Sequence, residues 1–247
     1  MAQRLFFTSL FVGAFLGSGH PALAQTPPLD AAAAAVAVAE IRQTIDTAWK
    51  EVQAYDKAGG TPGAADHPAL KWHATLWTYR EQHPGTQAAA RATADGIRLL
   101  VRGQFWEQAH ARIGAVGADD TAWERLSAAI YEEGSTRKDF AYTIATLSKV
   151  AETTTIPTIK SAVLLDIGRA RRRLGDMAAA KESFEASRSA APGSASSEEA
   201  DRVLYEITRL SVGLPAPTFS AKGRNGKTVD LATFRGRPVV LVFWATT

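Results

Sequence analysis

Between residues 30 and 212, apolar side chains recur at intervals of three and four, the repeat of a helix with one buried face. Interruptions fall at glycine, proline and aspartate, which end or cap helices. No stretch in this range alternates apolar and polar residues as a half-buried strand does. The spacing therefore predicts a mainly α chain, a stack of helix pairs joined by short turns. Residues 30–57 form the first helix, with Ile41, Ile45 and Trp49 on one face and Asp30 as its cap. Gly59-Gly60-Thr61-Pro62-Gly63 ends it.

The next helices are expected over residues 67–82, 86–102, 105–116 and 123–133, with Asp119 or Asp120 capping the last of these. On 86–102 the inward face holds Ala90, Ala94, Ile97 and Val101. Gly134-Ser135 reads as a break before a helix carrying Phe140, Ile144, Leu147 and Ala151. A last helix opens at Ser196 or Ser197, has Glu198 and Glu199 in its first turn, and buries Val203, Leu204, Ile207 and Leu210.

Composition narrows the chemistry. The 247 residues hold no cysteine, so they offer no disulfide, no thiolate nucleophile and no cysteine metal site. A net charge of +3, with basic residues interleaved among acidic ones, is no footprint for nucleic acid. At the N-terminus, Arg4 precedes an apolar run over residues 5–17 and the small-residue site Ala22-Leu23-Ala24. That is the plan of a signal peptide spanning residues 1–24, too short in its apolar core for a membrane span of ~20 residues. The expected product is a periplasmic or secreted chain beginning near Gln25.

Within the helical region, Leu164-x-x-Ile167-Gly168-x-x-Arg171, Gly175-Asp176, Ala180-x-x-x-Phe184 and Pro192 stand in sequence. This pattern resembles a tetratricopeptide repeat, a two-helix unit of about 34 residues, here over residues 161–194. Gly168 and Ala180 are the small residues where the two helices would cross. Leu164 and Arg171 stand where the family carries Trp and Tyr.

After residue 212 the pattern changes. Asn225-Gly226 separates two short strand candidates, residues 217–219 and 228–231, which predicts a hairpin. Residues 239–244, Val-Val-Leu-Val-Phe-Trp, read as a strand buried on both faces. Gly213-x-Pro215-Ala216-Pro217-x-Phe219, Gly226-Lys227-x-Val229-x-Leu231 and Gly236-x-Pro238-Val239-Val240-Leu241-x-Phe243-Trp244-Ala245-Thr246 together resemble the opening of a redoxin domain of the TlpA/ResA type. The resemblance implies a thioredoxin-like α/β domain whose start occupies residues 213–247. It also implies an exported thiol–disulfide oxidoreductase acting on protein thiols or disulfides. In that family a Cys-x-x-Cys follows this strand directly. The expectation is therefore of an incomplete domain, truncated before its cysteines and inactive as it stands. Its open strand would dock on the helices or aggregate. The alternatives are a peroxiredoxin-type antioxidant enzyme and a non-enzymatic periplasmic scaffold that holds a protein partner on its helices.

Other candidate sites read as structural. Gly226-Lys227-Thr228 lacks the glycine of a phosphate loop, with Ala221 in its place, and a strand follows instead of a helix. His67, His73, His83 and His110 do not show the spacing of a zinc helix. Glu132-Glu133 and Glu198-Glu199 point to different sides of their helices, and Trp72, Trp77 and Trp106 read as core. Arg169, Arg171, Arg172 and Arg173 form either a solvated face or a site for an acidic peptide or anionic lipid head group. No catalytic, cofactor-binding or metal-binding residue is assigned. The signal-peptide reading predicts that intact-mass measurement of the exported protein gives Gln25 as the first residue. Retention of Met1 in the exported fraction would overturn it.

Overall fold

The computed structural model describes residues 31–242. The signal-peptide segment, Asp30 and residues 243–247 lie outside this range. The described chain is mainly helical. Its helices are α1 (Ala31–Lys57), α2 (Pro68–Gln82), α3 (Gln87–Arg102), α4 (Trp106–Gly114), α5 (Trp123–Arg137), α6 (Ala141–Thr153), α7 (Pro157–Arg173), α8 (Met177–Ala190) and α9 (Ala195–Arg209). Two short strands, β1 (Ser220–Lys222) and β2 (Thr228–Asp230), and a 3₁₀ turn at Leu231–Phe234 follow.

Two helices act as hubs. α3 packs against α1, α2, α4 and α5, and α7 packs against α5, α6, α8 and α9, so α5 joins the two halves. The larger apolar core runs from Ile41 to Ile167 across the first seven helices. A smaller core of Leu165, Ala180, Phe184, Ala200 and Leu204 holds α7, α8 and α9 together.

The first correction concerns α3. Its sequence suggests one inward face, yet twelve of its sixteen residues are buried. Alanine and glycine supply half of the eight extra positions, because a small residue lets neighbouring backbones come close on any side. At Gly96 even a Cβ would stand 3.3 Å from that of Leu76.

The second correction is at Gly134, which lies inside α5 and does not end it. A Cβ there would fall 2.6 Å from Thr143 Oγ1 and 2.7 Å from Phe140 Cδ1. Glycine is present for the approach of α6, not for a turn. The helix ends instead at Lys138, which takes a left-handed conformation with φ of 59°.

Capping also departs from expectation. Ser194, not Ser196 or Ser197, caps α9 by accepting from Ser197 N at 3.2 Å. Leu210 is exposed, while Val203 and Ile207 are only partly buried. Asp120 accepts from Ala122 N just before α5. Asp119 turns to the α6–α7 junction, where it accepts from Thr155 N at 2.7 Å, Thr154 Oγ1 at 2.9 Å and Thr155 Oγ1 at 3.0 Å. These donors hold its carboxyl below the usual carboxylate range.

In the α7–α8 hairpin the small residues sit as the spacing required. The Phe184 ring lies against Gly168, where a Cβ would meet it at 2.6 Å. Gly175 makes the turn at φ of 83°. Phe184 is fully buried and reaches the α9 residues Ala200 and Leu204.

The C-terminal hairpin forms, shifted from the expected strands. β1 pairs antiparallel with β2 in the register Ser220↔Asp230, Ala221↔Val229, Lys222↔Thr228. Of the pair Asn225-Gly226, only Gly226 has positive φ, 74°. Gly226 N donates to Gly223 O and Gly223 N to Lys227 O, which makes a three-residue loop ending in a left-handed glycine. No parallel sheet is present among the described residues. The expected strand at 239–244 does not form over its described part, and Val240 and Val242 are 84% and 74% exposed. A strand buried on both faces requires paired neighbours and covering helices, and the described residues supply neither. Nor is that part docked on the helices.

Gly134 and Gly114 separate propensity from packing. A Cβ at Gly114, the last residue of α4, meets nothing within 4 Å. Gly114→Ala is expected to be neutral or stabilising by up to about 1 kcal/mol. Gly134→Ala gains the same propensity but overpacks the α5–α6 contact, at a cost of typically about 1–3 kcal/mol. Urea denaturation should rank it below the parent, and equal gains from both substitutions would refute the close-approach account.

Candidate functional site

The arginine run on α7 divides when the helix is folded. Arg171 turns toward α8, where its guanidinium donates to Ser183 Oγ at 2.9 Å and Ala179 O at 3.3 Å. Arg169, Arg172 and Arg173 face the other way, into a groove of about 650 Å³ between α5, α7 and α9. Tyr131, Glu199 and Glu206 line the groove with them, and the partly exposed Val203 supplies apolar wall above the fully buried Phe184.

Each groove arginine is held differently. Arg169 bridges Asp166 at 2.9 Å and Glu199 at 3.1 Å. Burial works against its charge, but the two carboxylates outweigh burial and raise its pKa further. Asp166 is 3% exposed; burial pushes its carboxyl up, against the pull of Ser127 and Arg169. Arg172 pairs with Glu206 at 2.6 Å, which lowers the Glu206 carboxyl and raises the guanidinium. The Arg202 and Arg169 guanidiniums hold Glu199 below the ordinary carboxylate range. Arg173 is exposed, and among the described residues its Nε donates only to the Tyr131 hydroxyl, at 3.4 Å. Within this groove it is the guanidinium without a carboxylate, so the groove presents one uncompensated cation beside apolar wall. That combination suits an acidic side chain flanked by an apolar one.

The histidines are structural. His67 caps α2, its Nδ1 accepting from Ala69 N at 3.1 Å, and Pro68 opens the helix. His83 ends that helix and lies over Tyr79. His110 meets Glu133 Oε1 at 2.7 Å and stacks on Tyr142 at 3.7 Å between ring centroids. Glu133 is buried and also receives Arg137 at 2.7 Å, whereas Glu132 faces outward to Arg98. This His–carboxylate pair has no hydroxyl nucleophile bonded to His110 among the described residues, so it forms no triad. No cluster of three metal-ligating side chains occurs among the described residues.

The tryptophans occupy separate places. Trp72 donates to Glu51 on α1. Trp77 lies between the guanidiniums of Arg112 and Arg80, at 4.3 and 4.7 Å from its ring. Trp106 on α4 is partly buried, with Arg137 at 5.7 Å. Lys227 and Thr228 belong to the hairpin, with no helix opening at the lysine. The phosphate-loop pattern is thereby excluded.

His73 was unremarkable in sequence and is the most perturbed histidine. Its Nδ1 lies 3.1 Å from Gly96 O, and its Nε2 accepts from Arg112 Nε at 3.1 Å. With Nε2 accepting, Nδ1 carries the proton and donates to the carbonyl, fixing the neutral tautomer. Burial, with Arg112 adding to it, lowers its pKa to about 4, against the opposing Gly96 carbonyl. A histidine depressed on folding contributes stability that is complete above its unfolded pKa and is lost as pH falls toward its folded value. The window here is from about 6.5 down to about 4. The loss expected across it is on the order of 2–3 kcal/mol. In His73→Asn the amide can donate to Gly96 O without titrating. Urea denaturation at pH 7 and pH 4.5 should show a smaller pH-dependent loss for that variant, and an unchanged loss would place the acid sensitivity elsewhere.

No family model, curated protein or solved structure matches the chain, so its functional reading rests on its residues and their geometry.

Proposed function

We propose that this chain belongs to the exported thiol–disulfide oxidoreductases of TlpA/ResA type, its helical stack acting as a docking module for the protein substrate. The observation that carries the reading is the ordered motif series from Gly213 to Thr246, spaced as in the opening of a redoxin domain. The β1–β2 hairpin at residues 220–230 agrees with that opening. The α5–α7–α9 groove, with Arg173 uncompensated beside Val203, gives a partner protein a place to bind.

The reaction needs a thiolate to attack a disulfide sulfur and a second thiol to resolve the mixed disulfide. A helix N-terminus lowers the pKa of the first thiol. Residues 1–247 contain neither thiol. What this chain's own residues do in the proposal is bind and orient the partner.

The test has two arms. Residues 25–247 should give no insulin reduction above a buffer blank. The reading frame beyond codon 247 should encode Cys-x-x-Cys within two codons, and the protein extended through it should reduce insulin. A stop codon or a cysteine-free continuation would overturn the oxidoreductase reading and leave the helical stack as a partner-binding scaffold.

A further inference from the structure

A second cluster of arginines lies on the opposite hub, and its charges are less well matched than those of the groove. On α3, Arg91, Asp95 and Arg98 are each one turn apart and share a face. Arg125 and Ala128 of α5 meet that face. Arg42 and Trp49 of α1 lie two turns apart on one side of their helix, and the Arg98 guanidinium sits 5.2 Å from the Trp49 ring. Between α3 and α5 opens a cleft of about 200 Å³, lined by Ala94, Asp95, Arg98, Arg125 and Ala128. The two alanines leave the room. A water's share of liquid volume is roughly 30 Å³, so a tetrahedral oxyanion fits with space for hydration.

Arg98 is engaged with Glu132 at 2.9 Å. The side chains of Arg42, Arg91 and Arg125 make no hydrogen bond or ion pair among the described residues. Asp95 is 8% exposed and belongs to no ion pair there either. Burial, then the charges of Arg125 and Arg42, push the Arg91 guanidinium down, against the smaller opposing pull of Asp95. Burial pushes the Asp95 carboxyl up, against Arg125, Arg98, Trp49 and Arg91. The arrangement thus places Arg91 and Arg125, outside any ion pair among the described residues, with the engaged Arg98 around one buried acceptor.

We propose that the cleft between α3 and α5, lined by Arg98, Arg125 and Asp95 with Arg91 one turn away on α3, binds a protonated oxyanion of the phosphate class. Guanidinium groups donate to the charged oxygens in charge-assisted hydrogen bonds. An ionised Asp95 only accepts, so it takes the O–H of monohydrogen phosphate or of a singly protonated phosphate monoester. Sulfate carries no proton at neutral pH. It would set its oxygens against the carboxylate, leaving both sides unsatisfied. This site is independent of the redox reading and of the α5–α7–α9 groove.

Isothermal titration of residues 25–247 with sodium phosphate, glycerol phosphate and sodium sulfate, at constant ionic strength, tests the proposal. Saturable one-site binding of phosphate is expected, with sulfate weaker by roughly tenfold or more. Arg125 is exposed, so Arg125→Ala should keep its thermal melt and weaken phosphate by roughly tenfold. Asp95→Asn should narrow the gap between phosphate and sulfate; if that variant does not fold, Arg125→Ala decides alone. Glycerol phosphate binding as well as phosphate assigns an ester ligand, whereas phosphate alone assigns the free ion. Absence of saturable binding by either phosphate, sulfate binding as tightly as phosphate in the parent, or unchanged affinity in Arg125→Ala would overturn the assignment.

Discussion

The stack depends on the close approach of helices to α3. A helix with neighbours on nearly every side cannot carry large side chains all round, because interaxial distances of about 8–10 Å leave no room for them. The sequence of α3 meets this with Ala88, Ala89, Ala90, Ala92, Ala94 and Gly96, keeping the larger Ile97, Leu99 and Leu100 for the C-terminal half. The same device recurs at Gly134 against α6 and at Gly168 against the Phe184 ring. Dispersion contacts are individually weak and act only at close range. Removing the small residues would therefore loosen several helix pairs at once.

Most polar groups inside this packing have partners, some on their own helix and some on another, while Glu133 Oε2 and His67 Nε2 have no hydrogen-bond partner. Asp119 ties the segment before α5 to the α6–α7 junction through three donors. Glu133 draws together His110 of α4 and Arg137 of its own helix, and Asp166 holds Arg169 toward α9. A buried charge left alone is costly, so each pair also restricts how the helices can slide. The surroundings of Asp95 differ, because the nearby Arg91 and Arg125 remain outside any ion pair. Arg91, Arg98 and Arg125 outnumber the carboxylates Asp95 and Glu132 at this hub, the kind of imbalance that a ligand resolves.

The two basic regions differ in design. In the α5–α7–α9 groove most of the positive charge is already neutralised, and the apolar wall at Val203 favours a side chain over a free ion. The α3–α5 cleft is smaller and lacks that wall, and its Arg125 stands outside any ion pair among the described residues while Arg98 is held by Glu132. One suits a protein surface and the other a small anion, so a single chain can carry both without competition.

The sequence by itself determined the helical class, most helix positions and the hairpin over α7 and α8, because three-four periodicity and glycine, proline and aspartate breaks are local signals. It also carried the redoxin-like motif series and the absence of any thiol. It did not reveal that α3 is buried on most sides, since an alanine reads alike on a solvent face and in a helix crossing. Gly134 looked like a break for the same reason: its role is set by Thr143 and Phe140, which are brought to it only in the folded chain. The division of Arg171 from its neighbours, the buried neutral His73 and the gathering of Arg91, Arg98 and Arg125 about Asp95 were likewise decided by tertiary structure. Each depends on which helices become neighbours, and that choice comes from long-range packing that no local spacing encodes.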